Sequence, residues 1–216
     1  RQIEAELGDE KLDHNVKRLG YCPKYNQKSA ISQKEWEELK VSSLPVLKDK
    51  LFVGIKYGND GANVALSIAV KTLSGKIFVE TVDCQSVRNG SRWLLNFLAN
   101  AEIESVVIDG QSGQSLLTQE MKDYGLKTPI LPTVKEIINA NASWEQGIYQ
   151  KLMCHNDQPS LTTVVTNCDK RNIGTSGGFG YKSLFDDMDI CLMDSAILAY
   201  WACHNVKPKK KQQIRY

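Results

Sequence analysis

The residues best equipped for chemistry in this sequence are aspartates at two separated places. Asp109 closes the apolar stretch in ESVVIDGQ (104–111), and Asp194 opens the run MDSAILAYWA (193–202). Residues 103–108 are few, apolar and rich in β-branched side chains, the pattern of a buried central strand. A carboxylate at the carboxyl end of such a strand sits where open α/β sheets place their sites. On residues alone, capping of the following helix explains Asp109 equally well, although Ser112 suits that task too.

No charged residue lies between Asp194 and His204, and Ile197, Leu198, Tyr200 and Trp201 mark a largely buried helix. A helix over 184–205 puts Asp187, Cys191, Asp194 and Leu198 on one face. A carboxylate turned towards a core must be paired, hydrogen-bonded or metal-bound. Asp186, Asp187 and Asp189 read as solvated, or as acids favoured at a helix start by its dipole. Asp194 reads as functional, because a cap there would leave LFDDMDICLM without an obvious structure. Two carboxylates from separated elements suit hard divalent ions, and Mg2+ takes a few carboxylates while keeping several waters. Two such ions about 4 Å apart activate a water and stabilise the leaving oxygen of a phosphodiester. By itself, a pair of aspartates is too common to identify a protein.

The elements that must position these acids follow from periodicity. Strands are expected over 51–57, 62–71 and 76–82. GNDG (58–61) and LSG (73–75) are the turns between them, making an antiparallel meander. A helix over 91–101 carries Trp93, Leu94, Phe97 and Leu98 at helical spacing. The Asp109 strand comes next, then a helix over 112–124 stopped by Gly125. A short strand is expected over 128–131, and 134–155 reads as largely helical with 139–143 a candidate break. Residues 161–166 (LTTVVT) read as a strand, the glycine-rich 171–181 as a mobile loop, and 184–205 as the final helix. Upstream, 4–16 is a candidate helix and 21–30 is irregular. SQKEWEEL (32–39) opens with a capping-box signature that leaves Trp36 to pack on something. The order is that of a mixed α/β sheet with helices on its faces, the ribonuclease H-like arrangement.

The chain has 216 residues, 42% of them hydrophobic, which suffices for one core with an appendage. It begins at Arg1 without a methionine, as a fragment of a longer chain would. No apolar run approaches the roughly 20 residues that span a bilayer, and no signal peptide is visible. The six cysteines form no CxxC pair, and buried free thiols fit them better than disulfides or zinc. The last ten residues hold five bases and no acid, leaving 22 bases against 25 acids before them. A basic body therefore gives no argument for nucleic acid, and the tail reads first as a solvated end.

Element order and these residues together resemble the C-terminal nuclease domain of the large terminase subunit of tailed bacteriophages. AISQKEWEEL before the first strand, the strand ending at Asp109, and MDSAILAYWA carry the likeness, which covers residues 16–205. The resemblance implies a ribonuclease H-like, Mg2+- or Mn2+-dependent endonuclease that holds two ions and cuts concatemeric double-stranded viral DNA. It would act in the cytoplasm of the infected bacterial host, with portal protein and small terminase subunit as partners. By the same resemblance an ATPase domain of the same polypeptide would lie upstream; no GxxxxGK[ST] motif occurs in this sequence. Residues 1–50 would then be a linker or arm, 51–206 the nuclease domain and 207–216 a basic tail.

By the same resemblance Asp109 and Asp194 are the catalytic metal ligands, with Asp60 and Asp187 as further candidates. The family's first aspartate sits mid-strand in a GxDxS-like pattern, and here Lys56 stands at that place in Gly54–Gly58. Lys56 then marks an inactivating substitution, a natural loss, or an offset in which Asp60 reaches the metal instead. An ammonium there would offset repulsion between the two acids and compete with a weakly held ion. The plain alternative is a lysine that snorkels to solvent from the strand edge. Lys182, Arg171, Lys170 and Gln111 are candidate DNA contacts, through phosphates and hence salt-sensitive and sequence-tolerant. Surface exposure explains Lys182 as readily, and Trp93 and Trp201 read as core anchors. His14, His155 and His204 are too scattered to ligate a metal together.

Overall fold

A computed structural model of the chain describes residues 29–48, 50–59, 61–175 and 177–205. The candidate helix at 4–16, almost all of the irregular 21–30 stretch, the basic tail 207–216 and Asp60 lie outside the described residues. Five strands form one sheet in the order β4-β1-β2-β3-β5: β1 (Leu51–Tyr57), β2 (Asn63–Lys71), β3 (Ile77–Ser86), β4 (Ile103–Asp109) and β5 (Met153–Cys154). β1, β2 and β3 pair antiparallel, β4 runs parallel to β1, and β5 runs parallel to β3. This is the expected mixed sheet flanked by helices.

β1 is buried along almost its whole length, as its unbroken apolar run requires. Its side chains alternate between two apolar layers. Val53, Ile55 and Tyr57 join Val106 and Ile108 of β4 beneath helix α2 (Arg92–Asn100), whereas Phe52 and Val107 join the layer under the C-terminal helix. That helix, α6 (Cys191–Asn205), lies across β1, β2 and β3. Its residues are buried almost without interruption from Cys191 to Cys203. The helix comes this close because position 54 is glycine. A Cβ there would collide with the Ser195 carbonyl oxygen and stand 2.6 Å from the Ala199 nitrogen. Beside this contact the buried hydroxyls of Ser67 and Ser195 satisfy each other at 2.7 Å.

Helix α1 (Gln33–Glu37) carries the expected capping box between Ser32 and Glu35. Its Trp36 is fully buried, stacks on His155 at 3.9 Å, and donates its indole N–H to Thr162 at 3.0 Å. The upstream segment thus adds Ile31, Trp36 and Leu39 to the core, and His155 is a buried packing residue.

Several local expectations are corrected. Residues 161–166 lie in helix α5 (Pro159–Val165), because Pro159 occupies its first turn, where a missing N–H is harmless. The stretch 171–181 is a β-hairpin, β6 (Cys168–Ile173) with β7 (Gly178–Ser183), whose six register pairs outweigh its glycines. Residues 128–131 contribute one parallel bridge, Val107 with Ile130, and no strand. The final helix begins at Cys191 instead of 184. Helix α3 (Gln114–Asp123) replaces the expected 112–124, and α4 (Val134–Tyr149) runs through 139–143 without a break and ends before β5.

Candidate active site

Lys56 and Asp109 meet because β1 and β4 pair in parallel with these two residues directly in register. The Lys56 ammonium donates a short hydrogen bond to Asp109 Oδ2. Asp194, in the first turn of α6, joins them in a cleft of about 190 Å3. Its position follows from the Gly54 contact, which seats the Ser195 turn directly on β1. Hairpin β6–β7 supplies Arg171, Ile173 and Gly180 to the cleft, and α4 supplies Val134, Ile137 and Asn141. The snorkelling alternative for Lys56 is excluded, since the residue is only 9% exposed and is paired. Capping is excluded for Asp109 too: Gly113 holds the N-cap position of α3, with no side-chain cap bond. Gly110 follows Asp109 at φ +109°, where a Cβ would press on Tyr57 at 2.7 Å, so the chain can leave β4 there only as glycine.

Electrostatics in the cleft are dominated by burial and by its own four charges. Burial works against the Lys56 ammonium, but Asp194 and Asp109 outweigh it and hold the lysine above its usual value. Asp194 is raised as well, to about 6, which for an acid disfavours the charged form. Burial is the main cause, Asp109 adds repulsion, and Lys56 and Arg171 partly offset both. Two acids thus face two bases in one cleft.

The remaining expected site residues separate clearly. Arg171 lines the cleft, its Nε donating to the Tyr181 carbonyl at 3.1 Å, which fixes the guanidinium on the hairpin. Lys170 is engaged elsewhere, in a 2.5 Å ion pair with Glu145 and 4.4 Å above the Phe179 ring. Lys182 pairs with Asp169 at 3.6 Å, and Gln111 is exposed in the turn after β4. Asp187 is not brought to the cleft: it is exposed in a turn before α6, so the helical face that was to align it with Asp194 does not exist there. Asp189 instead receives the Cys191 N–H at 2.9 Å.

Asn141 is the site residue that sequence reasoning missed. It is 4% exposed, its Nδ2 donates to the Ile137 carbonyl at 2.8 Å, and its Oδ1 has no partner among the described residues. Helical spacing from Val134 and Ile137 was the available signal, obscured by reading 139–143 as a break. Among the described residues, no group of three or more His, Cys, Asp or Glu side chains is placed to hold a metal ion.

No family model matches the chain, and no curated protein matches it in sequence. Solved structures do match in fold. The large terminase of bacteriophage HK97 superposes with a TM-score of 0.64 at 15% identity, over 89% of this chain and 50% of that one. The magnesium-bound large terminase nuclease of thermophilic phage G20c gives 0.55 at 14% identity, over 80% and 97%. A mutant nuclease domain of the large terminase subunit of bacterial virus Sf6, with manganese and β-thujaplicinol, gives 0.55 at 10% identity, over 80% and 98%. The chain therefore has the ribonuclease H-like fold of terminase nuclease domains and spans about half the length of the HK97 protein.

Proposed function

We propose that this chain is the nuclease-type domain of the large terminase subunit of a tailed bacteriophage, and that its cleft engages concatemeric double-stranded viral DNA for phosphodiester hydrolysis. The observation that carries this reading is the meeting of Asp109 and Asp194 beside position 56, on the fold of the G20c and Sf6 nuclease domains. An upstream ATPase domain in the same polypeptide, together with portal protein and small terminase subunit, would place the work in the cytoplasm of the infected host.

Divalent ions belong to this reading through those solved domains, which hold magnesium and manganese. Mg2+ or Mn2+, bound as a pair, would supply an activated water and stabilise the leaving oxygen. The residues present do not fit a two-ion centre. The Lys56 ammonium already neutralises Asp109, and no third acid is added from the described residues. Lys56 therefore holds cutting low in this chain. Arg171 is the base best placed to meet a backbone phosphate, because its guanidinium is fixed on the hairpin beside the acids.

Plasmid cleavage with Mn2+, run on this chain and on Lys56→Asp, tests the assignment. The parent is expected to cut poorly and the variant clearly better, and equal rates would refute the role of position 56. The same lysine pair favours a second reading, a module that holds DNA or docks on portal protein and has lost metal chemistry. Calorimetric titration of the parent with Mn2+ separates them: binding at the cleft rules the second reading out. Linear duplex, supercoiled plasmid and four-way junction, compared as substrates of the variant, distinguish a packaging nuclease from a resolvase of the same fold.

A further inference from the structure

The Sγ atoms of Cys84, near the end of β3, and Cys191, the first residue of α6, lie 3.6 Å apart although 107 positions separate them in sequence. Cys84 is half-buried and Cys191 is 1% exposed, so one sulfur of the pair is open to a reagent and the other waits behind it. The Asp189 carboxylate holds the Cys191 N–H at 2.9 Å and so fixes the helix start. Cys84 sits on the partly exposed last stretch of β3, where a side-chain rotation can cover the remaining distance to a bond of about 2.05 Å. The neighbouring sulfur and burial together push the Cys191 thiol up, which keeps it protonated and unreactive until Cys84 has been modified.

We propose that Cys84 and Cys191 are a redox-modification site: a latent disulfide that forms by exchange with a small-molecule disulfide such as oxidised glutathione. The Cys84 thiolate attacks one glutathione sulfur, forming a mixed disulfide and releasing one glutathione thiolate, which takes up a proton. Cys191 then gives up its proton and attacks the Cys84 sulfur, expelling the second glutathione. The two cysteines lose two electrons and two protons between them, and oxidised glutathione becomes two glutathione thiols. The bond joins β3 to the turn of α6 that carries Asp194, and it closes a long loop, so it stabilises the fold by restricting the unfolded chain.

The test incubates the full chain with oxidised glutathione, followed by intact mass, peptide mapping without reduction, and thermal unfolding. Expected are a loss of two hydrogens, a peptide linking Cys84 to Cys191, and a melting temperature higher by several degrees that dithiothreitol reverses. Cys84→Ser and Cys191→Ala should each abolish the link and the shift while melting like the reduced parent. A glutathione adduct that persists on Cys84, a link mapped to another cysteine, or no reaction at either sulfur would overturn the proposal. None of these readouts depends on DNA cleavage, so they stand apart from the functional reading above.

Discussion

The Lys56–Asp109 pair on the cleft floor leaves 11% and 20% of its side-chain surfaces to solvent, whereas the pair of Lys170 on the hairpin with Glu145 on α4 leaves 43% and 16%, so the two differ at the lysine. Both lysines were candidates for a role at the site, and the fold separates them by what surrounds them. On the floor the ammonium is held by two acids with little water to compete, so removing it exposes a buried repulsion. On the hairpin water reaches the Lys170 end of the pair, and the Phe179 ring shares the charge. The same ion pair chemistry thus decides the cleft in one place and trims a surface in the other.

The sharpest way to break this contrast is to disturb what holds the floor together. Gly54→Ala puts a methyl against the backbone of α6, and overpacking of this kind should cost about 3 kcal/mol, read by urea unfolding. Lys56→Ala leaves Asp109 and Asp194 facing each other without their shared cation and should cost about 2 kcal/mol. Mn2+ should raise the melting temperature of that variant more than that of the parent, and equal responses would mean the ammonium is not occupying cation space.

Asp194 gives a pH signature. Its pKa is raised to about 6 in the fold against 3.8 for the free side chain, so the fold prefers the protonated form. That preference is fully kept below pH about 4 and is lost as pH rises through about 6. Asp194→Asn should therefore melt like the parent at pH 4 and be more stable at pH 8, by up to about 2 kcal/mol. A difference that is constant with pH would show that burial is not straining the carboxylate. The smallest effect belongs to the hairpin: Lys170→Ala should change stability by less than about 1 kcal/mol, and a larger loss would erase the distinction between the two pairs.

The floor was legible in the sequence because its signals are local and strong. The apolar runs of β1 and β4, and the uncharged stretch after Asp194, identify buried elements whatever surrounds them. The hairpin wall was not, because residues 171–181 carry glycines that read as loop, and their strand character comes from pairing with each other and from Ile138 packing against Gly178. Threonines and valines at 161–165 likewise favour a strand on propensity, and only Pro159, two residues upstream, announces a helix. Asp187 was misplaced for a related reason. Helical spacing does not hold across 184–190, where the chain is irregular, while Asp194 depends only on the turn beginning at Cys191.

The alternation of side chains along β1 bears on how this cleft can change over generations. Val53, Ile55 and Tyr57 belong to one layer and Phe52, Gly54 and Lys56 to the other, so losing or gaining a single residue upstream of Lys56 would invert the strand. A loss would turn the Tyr57 phenol towards the acids and a gain the Ile55 side chain, and either would turn the ammonium into hydrocarbon. Point replacement at position 56 keeps the frame, so the charge beside Asp109 is free to drift by substitution while the spacing that delivers it is locked against insertion and deletion.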